Sequence, residues 1–165
     1  MKEEVKEYIK KNKLLTILVI LILIGLIVFI KIKIGPINGK LICNYKNNSE
    51  VMISSLNYKM DFKLKNVTKL ETQEVIESKD KELIKTYKES LEELAKKYDS
   101  LKYYKTKITE EENKLIVNTT IEYQKIDMKK YLEIEGEKTY IKHNKLKVDL
   151  LKEIYEKNGA KCQYK

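Results

Sequence analysis

Residues 14–30 read LLTILVILILIGLIVFI, seventeen positions without a charge. That run constrains the chain more than any other feature. An amphipathic helix at a protein surface keeps a polar stripe, and this segment has none. Ile32 and Ile34 extend its apolar character between Lys31 and Lys33, whose stems can follow apolar surroundings while their ammonium groups reach water. The stretch is long enough to cross a bilayer, so residues 14–34 are expected to form a single transmembrane helix. A cleaved signal peptide would have a shorter apolar region, about 7 to 15 residues, ending in small side chains. Here the run passes into FIKIKIGPINGK, with no A-x-A-like site, so an uncleaved anchor is expected.

The preceding tail, residues 1–13, carries five lysines. The positive-inside rule puts such a tail in the cytoplasm, although Lys31, Lys33, Lys40 and Lys46 follow the run. The expected topology is a single-pass protein of a bacterial cell membrane with its C-terminal part outside. Residues 35–39, GPING, would end the helix and act as a hinge, since Pro36 and two glycines break regular structure. Residues 40–165 then form one extracytoplasmic domain of ordinary size.

The net charge is +9, and all 34 basic residues are lysine. The lysines are interleaved with 25 acids rather than gathered in a stripe, which reads as a solvated surface. Lysine also lacks the fork by which arginine grips phosphates and guanine edges. No nucleic-acid partner is expected. The absence of arginine and the wealth of Lys, Ile and Asn suggest a low-GC genome, and a basic domain of this kind could lie near an anionic membrane or wall polymer.

Within the outer domain, LNYKMDFKLK (56–65) alternates throughout, with Leu56, Tyr58, Met60, Phe62 and Leu64 on one face. Such period-two patterning predicts a strand with one buried side. LIVNTTIEYQ (115–124) repeats the device with Leu115, Val117, Thr119, Ile121 and Tyr123. Lys65-Asn66 is expected to turn into a third strand, and 111–113 to close a hairpin before Leu115. Leu83, Tyr87, Leu91, Leu94, Ala95 and Tyr98 recur at spacings of three and four, predicting a helix over 79–98 with Ser78 or Asp80 as N-cap. A second helix is expected near 147–157, ending at Asn158-Gly159, and AKCQYK is the last strand. The predicted fold class is α+β: an antiparallel sheet with two helices on one face, in the order β-β-β-α-β-β-α-β.

The only cysteines, Cys43 and Cys162, lie in similar words, LICNYK and AKCQYK. Alternation turns both thiols inward, from the first and last strands. If those strands are neighbours, a Cys43–Cys162 disulfide joins the ends of the domain. In a domain facing the cytoplasm the pair would instead be two reduced, buried thiols. Two cysteines and His143 are too few for a zinc site, and the pair is far too separated for C-x-x-C redox chemistry. No metal and no cofactor are expected.

The start GKLICNYK, the stretch 97–131 and the ending LLKEIYEKNGAKCQYK resemble the YehR-like family of small bacterial lipoproteins, and related envelope proteins with a cysteine in the first and last strands. The resemblance covers most of residues 39–165 and implies an extracytoplasmic, membrane-tethered α+β domain of unassigned biochemical role. One departure stands out. Those lipoproteins are cleaved before a lipid-bearing cysteine, whereas Cys43 follows Leu41-Ile42, so no lipobox is present and the tether would be the helix itself.

The sequence holds no hydrolase triad, glycine-rich phosphate loop or metal motif. His143 lies in a polar loop word, YIKHNKLK, and Glu133, Glu135 and Glu137 are expected along an exposed strand or loop. Of the twelve tyrosines, Tyr58, Tyr87, Tyr98 and Tyr123 have core spacing, which leaves Tyr103, Tyr131 and Tyr140 as candidates for surface contacts. The leading expectation is a noncatalytic envelope module that contacts another protein or a wall polymer. A ligand sensor signalling through a partner helix is the alternative, and an enzyme with an unrecognised site the third.

Overall fold

The alternating word at 56–65 becomes β2 (Ile53–Lys63), flanked by β1 (Gly39–Asn48) and β3 (Asn66–Glu77) in an antiparallel meander. The structure, a computed structural model, describes residues 35–136 and 138–165. The expected tail and anchor at 1–34, and Glu137, lie outside the described residues. Among the described residues no helix is long and apolar enough to cross a membrane. The chain divides into two compact units, Met1–Pro36 and Ile37–Lys165, and every element below belongs to the second.

After β3 come α1 (Lys81–Lys96), β4 (Tyr104–Glu111), β5 (Lys114–Ile121), α2 (Met128–Glu135), β6 (Ile141–Lys142), β7 (Lys145–Leu146), α3 (Val148–Lys157) and β8 (Lys161–Tyr164). The fold is α+β with an antiparallel six-stranded sheet, ordered β4-β5-β3-β2-β1-β8, a two-stranded β6-β7 hairpin and three helices. The expected order lacked α2 and this hairpin. The word at 128–135 mixes two periods, Ile134 alternating with glutamates while Tyr131 recurs at helical spacing. Asp127 decides for helix, its carboxylate accepting the amides of Lys129 and Lys130. Glu133 and Glu135 therefore sit on α2, not on an extended segment.

Register places Leu41, Met60, Leu70 and Ile121 in one row across the sheet, and Ile76 beside Leu115 nearer the other end. Both rows share a face, and two clusters form on it. Leu41, Cys43, Met60, Leu70 and Ile121 pack with Tyr131 of α2 and with Val148 and Leu151 of α3. Ile76, Leu115 and Val117 pack with Ile84 of α1. Between the clusters the same face carries Thr72, Glu74 and Thr119. The opposite face is a solvated ladder in which Glu71 pairs with Lys59 at 3.0 Å and with Lys69 at 2.5 Å, as expected of an antiparallel sheet with one wet side.

Two finer expectations are corrected, and one choice between two caps is decided. Leu64 does not continue the buried face of β2: the chain reverses at Leu64-Lys65, one residue earlier than expected, and Leu64 points into solvent. Tyr87 and Leu94, assigned to the buried stripe of α1, are exposed, because α1 packs only over the β4-β5 end and buries a narrow line through Ile84. The α1 N-cap is Asp80, whose carboxylate accepts the amides of Glu82 and Leu83.

Cys43 stands directly opposite Cys162 in the β1-β8 pair, and the two form a disulfide with Cα atoms 4.1 Å apart and a sequence separation of 119. Beyond it, Lys40 and Lys165 exchange backbone hydrogen bonds of 3.0 and 2.8 Å. A side chain at Gly39 would meet the Lys165 carbonyl at 2.9 Å, and the backbone there has φ +148°. Glycine is required for this close approach of the last residue to the first strand.

Candidate functional site

The strands run between two ends. One end holds Ile37, where the domain begins, together with the Leu64-Lys65 turn, the β6-β7 hairpin and Lys165. The other holds the β1-β2 loop (49–52), the β3-α1 link (78–80) and the β4-β5 turn (112–113). Eleven residues of β2 separate them, roughly 35 Å of strand.

At the second end the three loops enclose an open cleft of about 730 Å³. Ser78 builds it. Its hydroxyl, buried in an otherwise exposed region, donates to the Val51 carbonyl at 2.8 Å and accepts the Asp80 amide at 3.1 Å, while its own amide donates to the Asn113 carbonyl at 3.1 Å. Ser49 closes the β1-β2 loop on itself, its hydroxyl donating to the Met52 carbonyl at 2.8 Å and accepting the Met52 amide at 3.0 Å. With the loop pinned from both sides, Val51 and Ile53 stand out into the cleft, 62% and 39% exposed. Glu50, Glu77, Asp80, Lys79 and Lys114 surround them, with Lys114 and Glu77 paired at 3.7 Å. An apolar patch ringed by polar groups of both signs suits the seating of an aliphatic side chain. The Ser78 hydroxyl is spent on backbone bonds.

The tyrosines expected at the surface are dispersed. Tyr131 is buried, 4% exposed, and packs into the main core, so its assignment to the surface is corrected. Its position on α2, which the extended reading of Glu133, Glu135 and Glu137 did not foresee, turns it inward. Tyr140 is half-buried against the same core. Tyr103 is half-buried too, with the ammonium groups of Lys102 and Lys125 each 5.5 Å from its ring centre. His143 is an exposed turn residue.

Tyrosines also cluster beneath the sheet. Tyr98 and Tyr104 stack with ring centres 4.1 Å apart, as do Tyr58 and Tyr155. The Tyr98 hydroxyl donates to the Glu135 carboxylate, tying the residues after α1 to α2. Burial, then that bond, pushes the Tyr98 hydroxyl far above its ordinary range. Burial raises Tyr104 to about 12, with the Glu135 charge adding to it, and raises Tyr58 to about 12, with the Glu74 charge adding to it. Phenols held this firmly protonated are hydrogen-bond donors, not general bases at neutral pH. Glu74 is itself raised, by desolvation. Among the described residues no group of three or more His, Cys, Asp or Glu side chains could hold a metal ion.

Sequence reasoning missed Ser78 as the centre of the cleft. Its place ahead of α1 made it an N-cap candidate alongside Asp80, and nothing local announces that its carbonyl partners, Val51 and Asn113, arrive from two other loops.

These features define a class: a disulfide-closed α+β domain with an antiparallel six-stranded sheet, helices that cover one of its faces, and an apolar cleft at one end. No protein-family model matches the chain, and no curated protein matches it. Among solved structures, the NMR structure of the YehR protein of Escherichia coli is similar, at a TM-score of 0.53 and 18% identity over 76% of this chain and 91% of YehR. The NMR structure of a protein from Streptococcus pneumoniae TIGR4 aligns at a TM-score of 0.47 and 17% identity, over 78% of this chain and 88% of that one. The domain therefore has a YehR-like fold.

Proposed function

We propose that this is a single-pass bacterial membrane protein holding a noncatalytic interaction domain outside the cell, and that the Val51-Ile53 cleft is its contact site for a protein segment bearing an aliphatic side chain. The observation that carries this reading is the cleft itself: two large aliphatic residues held in the open by loops that Ser78 and Ser49 pin down. Preorganised loops spend little entropy on binding, and isolated exposed aliphatics of this size are otherwise expected to fold back. The surrounding charges, three acids against two lysines, disfavour a polyanionic wall polymer at this end. The Cys43–Cys162 disulfide supports an oxidising, extracytoplasmic location, and the uncharged run at 14–30 supports the tether. The cleft lies at the end of the sheet away from Ile37, where the domain leaves the tether, which would leave it open to a partner.

The test is site-specific photocrosslinking of the full chain in its own membrane, with the crosslinker at position 50 and, as control, at position 57 on the solvated sheet face. One discrete protein adduct from position 50 is expected, reduced more than about tenfold when Val51→Asp and Ile53→Asp are combined, since each aliphatic side chain contributes on the order of 1.5 to 3 kcal/mol when buried. Equal adducts from both positions, or an adduct indifferent to the two aspartates, would reject the cleft as the contact site.

A further inference from the structure

We infer that the end of the domain carrying Ile37 and Leu64 is a docking face for an anionic phospholipid surface. Leu64 is 66% exposed and Ile37 54% exposed, and both line one shallow hollow. The Lys65 amide donates to the Ile37 carbonyl at 2.8 Å, and the Leu64 amide donates to the Asn38 side-chain oxygen at 2.8 Å. The residues leading into the sheet are thus bonded to the hairpin tip, which keeps the two exposed side chains at the same end of the domain.

Leu64 occupies a costly position. Its backbone has φ +50° and that of Lys65 φ +60°, the left-handed conformation that two-residue hairpin turns give to Asn and Gly. A branched, apolar residue there is strained and gains no burial within the domain. Strain maintained at an exposed apolar tip points to a contact outside the domain.

Around the tip the charge is one-sided. Among the described residues, Lys63, Lys65, Lys142, Lys145 and Lys147 border the two shallow hollows on either side of Leu64, with one carboxylate, Asp149, which Lys65 meets at 2.6 Å. Aliphatic side chains centred among lysines match a bilayer interface of negative surface potential, where each lysine adds about 1 kcal/mol, a factor of roughly five in binding. The chain supplies the proximity. Residue 30, the end of the uncharged run, precedes Ile37 by seven positions, and a chain that long reaches at most about 25 Å. The inference rests on the membrane-tethered reading for this proximity, though not for the chemistry of the face.

The chain has no tryptophan, so one introduced residue reports on one place. Full-length Leu64→Trp and Val51→Trp variants would be reconstituted into phosphatidylcholine vesicles with or without phosphatidylglycerol, using brominated acyl chains as quenchers. Carbonate extraction of the same vesicles would score the anchor separately. The Leu64→Trp emission is expected to be quenched in anionic vesicles, weakly in neutral ones, and to lose most of its quenching in high salt or when Lys142→Glu and Lys145→Glu are added; Val51→Trp should be silent. Absence of quenching at position 64 with the anchor retained overturns the docking face, as does equal quenching at positions 64 and 51. Lysine-dependent binding of a soluble polyanion without quenching overturns it too, in favour of a wall polymer. Quenching on added vesicles from a chain that carbonate extracts keeps the face and rejects the anchor.

Discussion

Glu74 shows how one residue can work against the fold around it. It lies on the covered face of the sheet, between Leu56 and Val117 across the strands, and desolvation raises its pKa above the ordinary value of 4.5. The folded chain therefore holds the Glu74 proton more tightly than the unfolded chain does. Its contribution to stability is fully present below the unfolded pKa and is lost as pH rises through the folded one. Thermal melts of Glu74→Gln should accordingly lack a decline above about pH 4.5 that the parent shows, and the variant should be the more stable at pH 7. A parent and variant with parallel profiles would refute this. Ser78 is the opposite case, a polar group with every partner supplied. Ser78→Ala leaves the Val51 carbonyl and the Asp80 amide without their partner, at a cost of about 1 to 3 kcal/mol. Urea titration should register that loss, and partner crosslinking from position 50 should weaken with it, because the β1-β2 loop is no longer pinned.

Among the elements, the β2-β3 turn makes the sharpest prediction. Replacing Leu64-Lys65 with Asn-Gly puts the residues that favour positive φ at φ +50° and +60°. The double variant should therefore be more stable by about 1 kcal/mol, read as a rise in midpoint on chemical denaturation, while it loses quenching-based contact with anionic vesicles. Stability and docking moving in opposite directions is what a functional strain requires. The strands themselves were legible because alternation is a property of neighbours in the chain: Tyr58, Met60 and Phe62 face inward as their spacing demands. What alternation cannot show is where a strand stops. Leu64 keeps the period and yet lies in the turn. The short helix α2 escaped for a related reason, since eight residues hold barely two turns and its only firm local signal was Asp127 ahead of it with Gly136 behind.

At the scale of the whole molecule, the disulfide joins the neighbouring strands β1 and β8 at one edge of the sheet, across a sequence separation of 119. Closing so long a loop is worth about 4 to 5 kcal/mol in the chain-entropy model. The Cys43→Ala, Cys162→Ala double variant should melt lower by on the order of 10 °C or more. Calorimetry would check it, and an unchanged melting temperature would mean that β8 is held by its hydrogen bonds and by Tyr164 against Phe62 alone. The same variant should leave the cleft at the other end nearly untouched, because Ser78 and its partners lie beyond the last residue that β8 pairs.

The amino-acid order by itself determined the apolar run at 14–30, the alternating strands, the existence of α1, and the inward aim of both cysteines. Each is a matter of period along a few adjacent residues, set by backbone geometry. Tertiary structure alone decided that Cys43 would face Cys162, that Ser78 would gather Val51 and Asn113, and that Ile37 would be bonded beside Leu64. Those meetings join residues 27 to 119 positions apart. Pairing at such distances is governed by sheet order and by the packing of helices on one face, neither of which leaves a trace in local spacing.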